Sequence, residues 1–129
     1  MSPIKWTAVQ SYADALSELQ NGTEAIRVRT EYKGNEQSFL ALTKALARNQ
    51  TCTYLSLYYD QIGPEGAIEI ADALKVNTTL TSLNLRWNNI EPEGAKQVAD
   101  ALKTNSSLIE LNLEGSYIRD KGAKEIADA

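Results

Sequence analysis

The sequence predicts a right-handed α/β solenoid, with parallel strands lining a concave face and helices forming a convex one. Three observations carry this. A phrase recurs every 28 residues, as CTYLSLYYDQIGPEGAIEIADALKVNTT (52–79), LTSLNLRWNNIEPEGAKQVADALKTNSS (80–107) and the incomplete LIELNLEGSYIRDKGAKEIADA (108–129). A fixed period of this length marks units that bury their apolar faces only against their neighbours. Within each phrase the apolar spacing changes from two to the helical 3–4, the signature of a strand followed by a helix. Parallel strands joined through helices cross over right-handedly.

The strand comes first. Leu83 and Leu85 stand two apart, so both point to one face, and Leu80, Asn88 and Ile90 complete the opening pattern. Pro92-Glu93-Gly94 follows. Proline suits the first helical turn, and a glutamate there complements the positive end of the helix dipole. Ala95, Val98, Ala99 and Leu102 then form one apolar stripe. Asn105 stands just past the helix end, a place that often requires a left-handed residue. Gly66, Gly94 and Gly122 sit in helix starts, where they permit close packing.

The stripe recurs along the chain. It reads Val9, Tyr12, Ala13, Leu16, then Phe39, Leu42, Thr43, Leu46, then Ala67, Ile70, Ala71, Leu74, then the set above, then Ala123, Ile126, Ala127. The stripes are separated by 30, 28, 28 and 28 residues. Residues 23–51 therefore form a degenerate unit, with Ile26 and Val28 as its strand. Residues 1–22 are expected to hold an N-terminal capping helix over roughly 5–20, with its own strand missing. Curvature follows from size. Strands stack ~4.8 Å apart and helices are ~10 Å wide, so the strand side is the inside of the arc.

Composition narrows the function. There is no histidine and a single cysteine, which excludes histidine-dependent triads and leaves no thiolate metal site within one chain. No cofactor and no enzymatic activity are expected. The net charge of −4 argues against nucleic acid or an anionic membrane as main partner. No apolar run approaches membrane-spanning length, and the first residues lack a secretory h-region. A cytoplasmic location is the expectation. Asp72, Asp100 and Asp128 recur with the period, which fits a solvated helix face and not paired catalytic carboxylates. Asn21-Gly22-Thr23, Asn49-Gln50-Thr51, Asn77-Thr78-Thr79 and Asn105-Ser106-Ser107 match the glycosylation sequon, and the helix-ending role of the asparagine accounts for the match. Cys52 occupies a leucine position and reads as a small buried hydrophobe.

The phrase LxxLxLxxNxIxxxGAxxxADALxxN resembles the leucine-rich repeat, in the 28-residue ribonuclease-inhibitor-like subclass, over about 23–129. The resemblance implies a horseshoe segment used for protein–protein recognition. The family also contains enzyme inhibitors and small-GTPase activators, so an enzyme regulator and a structural element of a larger assembly stand as alternatives. The family asparagine, which bonds neighbouring turns into a ladder, is replaced here by Glu31, Asp60 and Ser116, with Asn88 alone conforming. A partial ladder is expected.

Side chains flanking the buried leucines should face the concave space. Tyr54, Tyr58, Tyr59 and Trp87 gather there with Arg27, Arg29 and Arg86, residue types enriched at binding hot spots. Glu110 and Glu114 stand on the last strand. These nine residues are the expected partner-binding set. The alternative is scaffold cover: aromatics suit strands, and the outer charges at 27, 29, 110 and 114 protect sheet edges from pairing. Leu111, Leu113, Ile118 and Ile126 are expected at an uncapped C-terminal end, open to a homodimer or a partner chain.

Overall fold

The computed structural model of the protein describes residues 3–29, 36–58 and 60–129. Along these residues strand and helix alternate: β1 (Thr7–Val9), α1 (Tyr12–Gln20), β2 (Ala25–Val28), α2 (Glu36–Arg48), β3 (Tyr54–Ser56), α3 (Gly63–Leu74), β4 (Ser82–Asn84), α4 (Glu91–Leu102), β5 (Glu110–Asn112) and α5 (Arg119–Ala127). The sheet runs β1-β2-β3-β4-β5 with every neighbour parallel. Its register places Thr7, Ile26, Leu55, Leu83 and Leu111 in one row. The fold is the α/β solenoid that the period predicts.

The N-terminal segment departs from the expectation of one helix over 5–20. Thr7–Val9 is a strand paired with β2, and the helix begins only at Tyr12. Ser11 decides the boundary. Its backbone is extended and its hydroxyl accepts from the Asp14 N–H at 3.0 Å, an N-cap arrangement. The buried face of α1 is accordingly Tyr12, Ala15 and Leu19, while Ala13 is exposed. The later stripes are buried as expected, from Phe39, Leu42, Thr43 and Leu46 through Ala95, Val98 and Ala99. In the last unit Ala123 is exposed and Ile126 half-buried.

Two hydrogen-bond ladders tie the units together. On the strand-to-helix side, Asn88 is fully buried. Its Nδ2 donates to the Leu57 carbonyl at 2.7 Å, and its Oδ1 accepts from Asp60 N–H at 2.9 Å and Ile62 N–H at 3.4 Å. Ser116 repeats this with one atom. Its Oγ donates to the Leu85 carbonyl at 2.8 Å and accepts from Asn88 N–H at 3.3 Å. The expected gap at Ser116 is therefore closed, because a hydroxyl both donates and accepts. Glu31 lies outside the described residues. The helix starts are capped by the next unit as well. Gly63 N–H donates to the Asn88 carbonyl and Glu91 N–H to the Ser116 carbonyl, and neither helix has a side-chain cap.

The second ladder was not expected. Asn105 does not adopt the left-handed backbone anticipated past a helix end, nor do Asn49 and Asn77; the left-handed residues other than glycine sit on the strand-to-helix corners, at Gln61, Trp87, Asn89, Glu91, Tyr117 and Arg119. The asparagines act through their side chains. Their Nδ2 atoms donate back to the Leu19, Leu46 and Leu74 carbonyls at 3.1, 2.7 and 2.8 Å. Their Oδ1 atoms accept from the two backbone N–H groups that lead into the next strand, as Asn77 does from Thr79 and Leu80. This accounts for the recurring sequon-like triplets.

Helix spacing is set at the glycines. A Cβ on Gly94 would stand 2.7 Å from Ile90 Cγ2, 3.0 Å from Ala67 Cβ and 3.3 Å from the backbone of Pro64 on α3. Gly94→Ala is expected to cost about 1–3 kcal/mol through overpacking, read as a lower urea midpoint. An unchanged midpoint would show that the helices yield.

Burial explains Cys52. The thiol is fully covered and its pKa is pushed up to about 11, chiefly by desolvation. In the native state Cys52 should resist iodoacetamide at neutral pH and react only on unfolding, a difference that mass spectrometry reads directly. The raised value also has a sign. The unfolded thiol ionises first, so this contribution to stability is complete below pH ~9 and is lost as pH rises through the folded value.

Candidate protein-binding face

The concave side is built from three rows of outward side chains. Strand pairing puts Tyr54, Ser82 and Glu110 in one row and Arg27, Ser56, Asn84 and Asn112 in the next. Arg29, Tyr58, Arg86 and Glu114 continue beyond the strand ends. Asn84 and Asn112 shape that continuation: each Oδ1 accepts from the backbone N–H two residues on, at Arg86 and Glu114, at 3.0 Å. The rows enclose an open groove of ≈ 710 Å³ whose lining includes Trp6, Arg27, Tyr58, Asn84, Arg86 and Glu110.

On this face the arginines lie over aromatic rings. Arg27 Cζ lies 5.8 Å from the Trp6 ring centroid. Arg29 and Arg86 both approach the Tyr58 ring, at 5.7 and 5.6 Å. Such contacts are worth about 0.5–1 kcal/mol each at exposed sites, and they hold long side chains in one orientation. Arg86 also reaches the Glu114 carboxylate at 3.3 Å, and Trp6 meets Tyr54 edge-on with centroids 6.1 Å apart.

Of the nine expected residues, the structure brings Arg27, Arg29, Tyr54, Tyr58, Arg86, Glu110 and Glu114 to this face. Tyr59 lies outside the described residues. Trp87 is set apart. Its backbone is left-handed and its ring covers Gly115, where an added Cβ would collide with the indole. It belongs to the corner beside the groove and, like Arg29, Tyr54 and Glu114, lies outside the groove's lining. Trp6 was missed. Its segment carried the helical stripe, although the alternation Trp6-Thr7-Ala8-Val9 is also a strand signal. The edge-protection reading fails for Arg27 and Arg29, because β1 pairs outside β2 and makes β2 internal.

The periodic aspartates are surface groups, with Asp72 and Asp100 paired to Lys75 and Lys103 at 3.8 and 3.5 Å. Among the described residues no cluster of potential metal ligands occurs, and no helix is long and apolar enough to cross a membrane. Tyr12, buried under the first helix, has its pKa raised by desolvation and by Asp60, whose carbonyl accepts its hydroxyl at 3.3 Å. It is a structural contact.

Comparison with known proteins agrees with this architecture. A family model for the leucine-rich repeat matches residues 76–99 and 104–127. Among solved structures, the chain is similar to actin-binding site 2 of leiomodin-1, with a TM-score of 0.76 and 28% identity over 93% of this chain and 72% of that one. It is also similar to the tropomodulin C-terminal domain of Caenorhabditis elegans, with a TM-score of 0.76 over 91% of this chain and 74% of that one; at 13% identity this likeness concerns the fold alone. No curated protein sequence matches it. The two matched stretches fall on stacked parallel strand–helix pairs, so over residues 76–127 the chain is similar to the leucine-rich repeat.

Proposed function

We propose that the protein is a non-enzymatic binding module that holds a protein partner against its concave face. The observation that carries this is the concave face on which Arg27, Arg29 and Arg86 lie over the rings of Trp6 and Tyr58. Pre-oriented Arg and aromatic side chains bind with little loss of rotamer freedom. The partner-binding residues are Arg27, Arg29, Tyr54, Tyr58, Arg86, Glu110 and Glu114, with Trp6 added and Trp87 at the margin. A full helix in each 28-residue unit supports the ribonuclease-inhibitor-like subclass, with residues 1–22 as an N-terminal capping unit. A cytoplasmic setting accords with the lone buried thiol.

The actin-binding title of the leiomodin-1 structure makes purified actin the first protein to test. Tyr58→Ala removes the ring beneath two arginines and should weaken binding by about tenfold or more, measured by fluorescence anisotropy. Unchanged affinity in Tyr58→Ala, with unchanged circular dichroism, would remove the concave face from the reading. A wild-type chain that ignores actin removes actin alone.

A second contact is supported at the C-terminal end. Leu111, Leu113, Tyr117, Ile118 and Ile126 surround an open cavity of ≈ 750 Å³, a surface suited to a second copy or a partner chain. Sedimentation should show a mass that rises with concentration, and a Leu113→Glu variant that stays monomeric.

A further inference from the structure

Resting on the concave-face reading above, we infer that the groove takes an acidic segment of the partner protein, with acidic residues in the basic field of Arg27 and Arg29, one carboxylate on the Arg27 guanidinium, and a basic side chain over Glu110. A guanidinium held over a ring by cation–π attraction keeps N–H donors for a planar acceptor, which a carboxylate matches with two parallel bonds. Arg86 combines the two contacts within the chain: its Cζ lies over the Tyr58 ring and its Nη2 meets the Glu114 carboxylate at 3.3 Å. Arg27 likewise has its Cζ over the Trp6 ring, is exposed, and meets no carboxylate among the described residues.

The charge pattern gives the segment a polarity. The basic side chains come from β2 and its continuation, and Glu110 comes from β5. Three strand spacings separate them, about 14 Å, which about four residues of extended chain span. The fitting segment has an acidic pair and, about four residues away, a lysine or arginine, and it crosses the strands. A nucleic acid fits poorly, since its phosphates would continue onto Glu110 and Glu114 and the chain carries a net charge of −4.

The test uses the full chain, isotopically labelled, titrated with three short peptides while amide shifts are followed by NMR. One carries a glutamate pair and a lysine pair about four residues apart, one carries glutamates at both positions, and one carries lysines at both. The mixed peptide is expected to bind tightest and the all-lysine peptide weakest, with shifts at Arg27, Arg29 and Glu110. Arg27→Glu with Arg29→Glu should weaken the mixed peptide by about tenfold or more and favour the all-lysine one. The milder pair Arg27→Gln with Arg29→Gln should weaken binding without inverting it, which guards against a folding defect. Equal binding of all three peptides, a double variant that keeps the original preference, or no binding at all would overturn the inference. Shifts that map to the groove but ignore charge would overturn it while leaving the concave face as the docking surface; retained partner binding by Tyr58→Ala is what removes that surface.

Discussion

Asn88→Leu is expected to lower the unfolding free energy by about 3–4 kcal/mol. The side chain is fully buried and serves four backbone groups: the Leu57 and Arg86 carbonyls and the N–H groups of Asp60 and Ile62. Leucine has similar bulk and no polar atom. It would leave those groups without this partner in a place water does not reach, at about 1–3 kcal/mol for each group left unsatisfied. Against the 5–15 kcal/mol typical of a domain, the loss is large. The left-handed residues Trp87 and Asn89 flank the position, so the loss falls on a corner that already carries backbone strain. Asn88→Ser is the informative comparison. Ser116 bridges the next step of the same ladder with one hydroxyl, so serine at 88 should cost only about 1–2 kcal/mol. Urea unfolding measures both. Equal losses would mean that the bulk of residue 88, and not its hydrogen bonds, supports the corner.

Leu83→Ala is expected to cost about 3 kcal/mol and to broaden the transition. Leu83 lies on β4, paired with Leu55 on one side and Leu111 on the other, and is 1% exposed. Truncation removes transfer energy and leaves a cavity. In a solenoid each unit is stabilised mainly by its two neighbours, so a defect in an inner unit weakens two interfaces at once. Leu111→Ala, half-buried in the same row on β5, should cost roughly half as much and leave the transition sharp. Equal effects at 83 and 111 would argue that the outer unit is as tightly coupled as the inner ones.

These expectations rest on elements of differing legibility. Leu83, Leu85 and the Ala95–Leu102 stripe were readable because their spacing alone determines which face is apolar, and three consecutive units repeat it. Trp6 and Thr7–Val9 were not. A short segment with both alternation and a helical stripe is ambiguous in isolation, and pairing with β2 resolved it. The roles of Asn77 and Asn105 were half legible. Their recurrence marked the helix ends, but a side chain that reaches back about one full unit, to Leu46 and Leu74, has no local signal. Trp87 looked like groove lining because it follows Arg86 in the chain; the left-handed turn carries it onto Gly115.

The amino-acid order by itself determined the repeating unit, the alternation of strand and helix, and the side on which the arginines and tyrosines emerge, because these follow from side-chain period along a single segment. Only the tertiary structure decided that β2 is internal, that Ser116 completes the ladder, and that Arg27 rests on Trp6 while Arg29 and Arg86 share Tyr58. Those are contacts between residues about 20–30 positions apart, and their geometry depends on how neighbouring units stack.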